Sequence, residues 1–211
     1  MSFKNDTYAI TAKEIIANLN KRNMEGYYCQ DAKEATEKAI SLMKKGASVA
    51  WGGSESIKEC GLMDAVRNGE YEIIDRMQAV TDEEKKAMYA RIVTCDYFLM
   101  STNAITLNGE LVNIDGNGNR VAPLIHGPEN VIIIAGMNKV TEDVDSAYKR
   151  IKTSACPPNA VRLGKQIPCG LTGVCKDCFS PECFCNQIVV TRRSGHTGRI
   201  KVILVGEELG Y

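Results

Sequence analysis

Five cysteines, Cys169, Cys175, Cys178, Cys183 and Cys185, fall within the seventeen residues C-G-L-T-G-V-C-K-D-C-F-S-P-E-C-F-C. The C-x-x-C turn from Cys175 to Cys178 aims two thiolates at one point, and Gly170, Gly173 and Pro181 let the backbone wrap around it. Four thiolates can saturate a tetrahedral zinc ion or the irons of a cluster. Structural zinc sites usually pair two separated knuckles, whereas this loop has one knuckle and outlying thiols. That slightly favours an iron–sulfur cluster over zinc and leaves both open. Buried free thiols would explain so dense a loop poorly. The remaining cysteines, Cys29, Cys60, Cys95 and Cys156, are scattered and read as small buried hydrophobes.

Two further groups of residues could bind or act on a ligand. Gly52-Gly53-Ser54 stands between a strand and a helix, where glycines allow close backbone approach and free amides suit a phosphate or carboxylate. A tight βα turn with Ser54 or Ser56 as N-cap explains the same residues. The segment 101–127 is dense in polar side chains, among them Asn103, Asp115, Asn119, Arg120 and His126. Turn chemistry accounts for Asn108, Asp115, Asn117 and most of the glycines. It accounts less well for Asn103, Arg120 and His126, which stand at strand ends. His126 reads as a packed histidine or as an acid–base group. Lys139, Arg150 and Arg162 are candidate anion contacts, although Arg150 also suits a solvated helix end, and His196 reads as an exposed turn residue. Gly52-Gly53 lacks the remaining glycine of G-x-G-x-x-G, so no nicotinamide or flavin signature is present.

The elements that must position these residues alternate. Ala12, Ile15, Ile16 and Leu19 recur at helical spacing, predicting a helix that ends near Asn23. A strand candidate at Gly26 to Cys29 precedes a helix capped by Asp31, for which Gly46 is a C-cap candidate. Strands are predicted at Ala47 to Trp51, Tyr71 to Arg76, Asp96 to Met100 and Val131 to Ala135. Helices are predicted to open near Glu55, at a Thr81/Glu84 capping box, and over Thr141 to Thr153. Asn108-Gly109 and Asp115-Gly116-Asn117-Gly118 suggest hairpin turns and an antiparallel meander over residues 104–125. A closing hairpin is expected from Gln187 to Arg193 and Arg199 to Val205. The pattern predicts an α/β fold with a Rossmann-like, mostly parallel sheet and antiparallel additions.

The 211 residues suit one α/β domain over 1–211 with a cysteine-rich metal loop at 169–185, and about 70% of the unfolded surface of such a chain can be buried. Hydrophobic residues make 44%, and basic and acidic residues balance at 26 each, so neither a basic stripe nor a nucleic-acid partner is expected. Met1 to Thr11 lacks the apolar stretch of a signal peptide, and the run Val131 to Ala135 is too short to span a bilayer. A cytoplasmic protein is expected, with no membrane partner. In that reducing compartment nine cysteines point to metal or redox use rather than disulfides.

The stretches V-A-W-G-G-S-E-S, S-T-N-A-I-T-L-N-G-E-L-V-N-I-D-G-N-G-N-R-V-A, I-I-A-G-M-N-K-V, P-P-N-A-V-R-L and T-G-V-C-K-D-C-F-S-P-E-C-F-C-N resemble the LUD (lactate-utilisation) domain family, from about residue 11 to the end. The N-A-I-T to D-G-N-G-N-R block is the most specific part. The resemblance implies a fold similar to the sugar-phosphate isomerase and CoA-transferase group, whose sheet binds small anionic ligands. It also implies a link to lactate oxidation to pyruvate, beside iron–sulfur partner proteins. Cys183 stands where the family pattern has a basic residue, which implies Cys169, Cys175, Cys178 and Cys185 as metal ligands. The ferredoxin-like helical module of larger relatives is not in this sequence. The expectation is a component of 2-hydroxy-acid/keto-acid redox metabolism, as a monomer or homo-oligomer. It has a small anionic metabolite in a cleft formed by Gly52, Gly53, Ser54, Asn103, Asp115, Asn119 and Arg120, with Arg120 holding the anion bidentately and His126 as acid–base group. The alternatives are a non-redox isomerase- or transferase-like enzyme acting on a phosphorylated or CoA-linked molecule, and a ligand-binding module with a structural metal.

Overall fold

The computed structural model describes residues 3–211. It opens with α1 (Phe3–Lys21), which buries Ala12, Ile15 and Leu19 on one face and is followed by Asn23 in the left-handed region (φ 58°). β1 (Glu25–Cys29) leads to α2 (Ala32–Ser41), capped by the Asp31 carboxylate, which accepts from the Glu34 N–H. β2 (Ser48–Trp51) runs through Gly52-Gly53 into α3 (Glu55–Glu59), with Ser54 as N-cap, and then α4 (Leu62–Arg67). β3 (Glu72–Ile74) precedes α5 (Asp82–Val93), whose Thr81/Glu84 capping box is formed in both directions. Then come β4 (Tyr97–Met100), β5 (Ala104–Thr106), β6 (Leu111–Asp115), α6 (Val121–Ile125), β7 (Asn130–Gly136) and β8 (Val140–Thr141). The chain closes with α7 (Val144–Arg150), α8 (Cys156–Arg162), α9 (Pro168–Thr172), β9 (Gln187–Thr191) and β10 (Ile200–Val205).

Among the described residues, β1, β10, β7, β4, β2 and β3 form, in that order, an all-parallel sheet. Its central strand β7 reads Asn-Val-Ile-Ile-Ile-Ala-Gly and is apolar on both faces because both are covered. Val131, Ile133 and Ala135 pack with α1 and with Ile92 of α5, whereas Ile132 and Ile134 pack with Ala35, Ile57 and Leu62 on the other side. Each fully buried residue of this kind contributes roughly 1.5–3 kcal/mol. A charge at Ile133 would leave an unpaired ion in that core and unfold the sheet.

The order of the strands places a ligand site. From β2 the chain crosses to its outer neighbour β3, whereas from β4 it crosses the opposite way to β7. Open α/β sheets bind ligands outside the carboxyl ends of the strands where such connections diverge. Here that point lies between the β2–α3 loop and the segment after β4. A second sheet, ordered β8-β5-β6-β9, carries the segments after β4 and β6 to the same region.

Several sequence expectations are corrected. The turn at Asn108-Gly109 does join antiparallel β5 and β6, with Gly109 at φ 86°. Asp115 to Gly118, however, is no hairpin turn. Asp115 Oδ1 accepts from the amides of Asn117 and Gly118 (3.1 and 2.8 Å), and this side-chain turn feeds α6. The closing segments do not pair with each other: β9 runs antiparallel to β6, and β10 enters the main sheet between β1 and β7. Gly46 (φ 75°) turns the chain into β2 rather than capping α2, which ends at Ser41. Finally, α7 passes through a π turn at Ile151–Ala155 into α8, where Pro157 and Pro158 occupy the first turn and remove no needed N–H.

Candidate functional site

A cavity of about 480 Å³ opens at the divergence point. Gly53, Ser54 and Ser56 reach it from the β2–α3 connection, Ser101 to Asn103 from the end of β4, Asp115, Asn119 and Arg120 from beyond β6, and Lys139 from beyond β7. The sequence reading thus brings Gly53, Ser54, Asn103, Asp115, Asn119 and Arg120 to one place. Gly52 is not on the wall. A Cβ there would sit 2.9 Å from Arg120 Cγ and 3.4 Å from the Phe98 ring, so glycine lets the arginine pass beneath the loop.

Arg120 does not hold an anion. Its Nη1 donates to Ser101 O (3.1 Å) and Asn113 Oδ1 (2.6 Å), and its Nη2 donates to Asn103 Oδ1 (2.8 Å) and Ile114 O (2.7 Å). Nε lies 3.6 Å from Asp115 Oδ2. Four hydrogen bonds thus hold its two terminal nitrogens to the protein, and Nε faces the Asp115 carboxylate as an ion pair. Asn103 is committed through its oxygens, since its Oδ1 also accepts from Ile114 N–H (3.0 Å) and its carbonyl accepts from Arg150 Nη1 (2.8 Å), whereas its Nδ2 has no hydrogen-bond partner among the described residues. These side chains brace the floor of the cleft, because isolated buried polar groups would be costly. The expectation of a bidentate anion clamp at Arg120 is therefore overturned, because both terminal nitrogens already donate to protein oxygens.

The cations left for a ligand are others. Arg76, just after β3, lines the cleft with no hydrogen-bonded or ion-paired side-chain partner among the described residues. A Cβ on Gly53 would lie 2.9 Å from its Nη2, so the glycine makes room for this guanidinium. Lys139 is 4% exposed and donates to Ser56 Oγ (2.6 Å) and Ser101 Oγ (3.0 Å). Burial first, then the nearby Arg150 and Arg120, push its amine down to about 7. Arg162, at the rim, donates to Tyr211 Oη (2.7 Å) and Asn159 Oδ1 (2.7 Å) and lies 3.5 Å from Glu55. Asn119 also has no side-chain hydrogen-bond partner among the described residues, and with Arg76 it joins the cleft to an apolar cavity of about 430 Å³ lined by Trp51, Met77, Met88, Tyr89 and Phe98.

His126 lies elsewhere. It caps the C-terminal end of α6 and lines a separate hollow with Glu25, Asn130, His196 and Arg199, at the edge where β1, β7 and β10 begin. The Gly127-Pro128 step that follows carries the chain to the start of β7 and so away from the ligand edge. An acid–base role for His126 in this cleft is ruled out by that placement.

The cysteine loop borders the cleft. Cys156 lines the cavity beside Phe184, and its Sγ lies 3.5 Å from Cys185 Sγ. This contact raises the Cys185 thiol above its ordinary value, with burial adding to the effect. Burial, and then Cys175, Cys185 and Cys178, raise Cys169, so the four expected ligands share one electrostatic neighbourhood. Hydrogen bonds from Ser180 lower Cys178. Asp177 turns left-handed (φ 52°) between Cys175 and Cys178, and its amide points at Cys175 Sγ (3.5 Å), while the Cys185 amide points at Cys183 Sγ (3.5 Å). Such amide–sulfur contacts stabilise thiolates. All nine cysteines are free. The donors thus fit a thiophilic centre in kind, but no three Cys, His, Asp or Glu side chains among the described residues are placed to share one ion.

Sequence reasoning missed Arg76 and Cys156 as members of the site, named Ser101 only as one of the polar residues of 101–127 and Ser56 only as an N-cap, and did not single out Lys139 beyond an anion contact. Ser101 and Lys139 follow the carboxyl ends of β4 and β7, which is the signal that could have found them. Arg76 carries the same signal, two residues past the carboxyl end of β3, whereas Cys156 carried none.

A family model described as LUD domain matches residues 12–205. No curated protein matches the chain in sequence. The crystal structure of a DUF162 family protein from Deinococcus radiodurans, at 1.70 Å resolution, superposes with a TM-score of 0.52 at 13% identity, covering 97% of this chain and 99% of that one. At that identity the likeness is one of fold. No helix among the described residues is long and apolar enough to cross a membrane.

Proposed function

The chain belongs to the LUD domain family, and from that premise we propose that it serves lactate (2-hydroxy acid)/keto-acid redox metabolism by binding a small carboxylate in the cleft beside a cysteine-bound centre. Arg76 supplies the free guanidinium for the carboxylate, since a fork of N–H donors matches its two oxygens. Asn119 and Lys139 face the remainder of the ligand, and Arg120, Asn103 and Asp115 keep the floor rigid. Cys169, Cys175, Cys178 and Cys185 would hold zinc or an iron–sulfur cluster once the loop closes on them. An iron–sulfur cluster would carry electrons toward iron–sulfur partner proteins, whereas zinc would only fix the loop.

One observation carries this reading. Cys156 is both a wall of the cleft and a contact of Cys185, so sulfur chemistry and ligand share a boundary. The test is anaerobic purification followed by metal and sulfide analysis, with calorimetry against lactate and pyruvate. Micromolar to millimolar binding of either acid, together with stoichiometric metal, supports the proposal. Metal-free protein that ignores both acids overturns it.

A second reading is favoured by the apolar cavity that shares Arg76 and Asn119 with the cleft. A phosphorylated or CoA-linked molecule could place its anionic part in the cleft and an apolar part there, for non-redox isomerase- or transferase-like chemistry or for binding alone. Calorimetry with coenzyme A and with simple carboxylates separates the two.

A further inference from the structure

We propose that the Lys139 amine is a nucleophile that condenses with the carbonyl of a 2-keto acid bound in the cleft, forming an imine. The inference rests on the keto-acid reading of the cleft and adds a covalent activity to it.

The hydrogen bonds around the nitrogen favour a neutral amine. Ser56 Oγ donates its own hydrogen to Leu209 O (3.0 Å), so toward Lys139 it can only accept. Ser101 Oγ likewise donates to Thr102 O (3.3 Å) and accepts from Lys139. A neutral amine has two hydrogens and one lone pair, and the two serines take both hydrogens. The third position on the nitrogen, for which the described residues offer no acceptor, is left for the lone pair and faces the cleft that Lys139 lines. No carboxylate lies within ion-pair distance of Lys139 among the described residues. The charged groups acting on it are Arg150 and Arg120, which disfavour its protonation, and Glu59, which favours it weakly. A desolvated lysine beside other cations is the setting in which amines act as nucleophiles at neutral pH. The site is also built around the nitrogen. Gly210, from the C-terminal segment, approaches so closely that a Cβ there would lie 2.7 Å from Ser56 Oγ and 3.5 Å from Lys139 Nζ.

The step balances without an oxidant. The nitrogen lone pair attacks the C2 carbonyl carbon, and the carbonyl electron pair moves to oxygen. A proton passes from nitrogen to that oxygen to give a carbinolamine. The nitrogen lone pair then expels the hydroxyl as the carbon–oxygen bond breaks, and the remaining N–H proton passes to that oxygen. Water leaves, and a neutral carbon–nitrogen double bond remains. Arg76 would hold the carboxylate of the same molecule at the mouth of the cleft.

The experiment incubates the full chain with pyruvate and sodium cyanoborohydride at pH 7 and maps adducts by peptide mass spectrometry. Pyruvate binding is measured separately by calorimetry without reductant. Half of a lysine that titrates near pH 7 is neutral there, roughly a thousandfold more than of an ordinary lysine, so the adduct should concentrate at Lys139. Lys139→Met and Lys139→Arg should abolish it, with melting temperatures confirming that both variants fold. Binding without an adduct overturns the imine and leaves the cleft reading intact. No binding and no adduct overturns both. Adducts spread over exposed lysines overturn the assignment to Lys139.

Discussion

Nη2 of Arg120 donates to Oδ1 of Asn103 at 2.8 Å, tying the segment that leaves β6 to the segment that leaves β4. The bond lies beneath the cleft, not across it, which makes Arg120 a brace rather than a ligand contact. Arg120→Met should therefore lower stability by about 3–5 kcal/mol, because it strands Asp115 and several buried carbonyls. Urea unfolding with an unchanged slope checks this. A stable variant that lost only ligand affinity would return Arg120 to the anion site.

Gly53 and Gly52 are neighbours with different duties. At Gly53 a side chain meets only the flexible end of Arg76, so Gly53→Val should fold normally and displace the guanidinium. Affinity for pyruvate should fall about tenfold, near 1.4 kcal/mol, and Arg76→Ala should match it. At Gly52 the clash is with Arg120 Cγ and Phe98, so Gly52→Ala should cost about 1–3 kcal/mol of stability through overpacking. Calorimetry and thermal unfolding on the three variants separate these roles. Unchanged affinity in a stably folded Gly53→Val protein would remove this loop from the site.

Lys139 predicts a pH dependence with a definite sign. An ordinary lysine titrates near 10.5, and burial with Arg150 and Arg120 pushes this one down to about 7. Between those values the unfolded chain holds a proton that the folded chain lacks, so the contribution of Lys139 to stability increases as pH rises. Relative to Lys139→Met, the parent should gain roughly 2 kcal/mol from pH 7 to pH 9, because one pH unit is worth at most about 1.4 kcal/mol per proton. Cys29 and Cys95, each raised to about 11 chiefly by burial, act in the opposite direction at higher pH but are common to both proteins. Parallel stability curves for the two proteins would show that Lys139 titrates normally.

The parts of this architecture legible in the sequence are those set by local pattern. The apolar run at Val131 to Ala135, the Thr81/Glu84 capping box and the Ser54 N-cap each appear where the residues place them. What failed depends on long-range pairing. Gln187 to Thr191 looks like half of a hairpin, yet it pairs antiparallel with β6, Val190 opposite Val112 and Ile188 opposite Ile114, a partner about 75 residues back that no local pattern announces. The site divides in the same way. Polar residues on the Asn103 to Arg120 stretch were legible as a group, but which of them stay free for a ligand depends on Asn113, Ile114 and Ser101 occupying the Arg120 donors. Cys156 looked like a lone apolar thiol because its partner Cys185 lies 29 residues away.

Cys175, Cys185 and Cys178 each raise the Cys169 thiol, and thiolates gathered in one loop repel unless a cation holds them. Closing them on one ion asks little of the backbone near the knuckle, where Asp177 already makes the left-handed turn and Gly173 (φ 73°) ends α9. Cys156 differs, because it sits at the start of α8 after the π turn, outside the loop, and meets it at Phe184 and at the Cys185 sulfur. The double variant Cys175→Ser/Cys178→Ser should lose its metal and melt at lower temperature, since binding energy of a structural centre is folding energy. Cys156→Ser should keep its metal, yet alter any change that lactate or pyruvate induces in the visible spectrum, because it removes the sulfur between cleft and loop. Elemental analysis and spectra of the anaerobic proteins read both. Metal content and melting temperature unchanged in the double variant would end the case for a centre at these cysteines, and loss of metal from Cys156→Ser would make Cys156 a ligand in its own right.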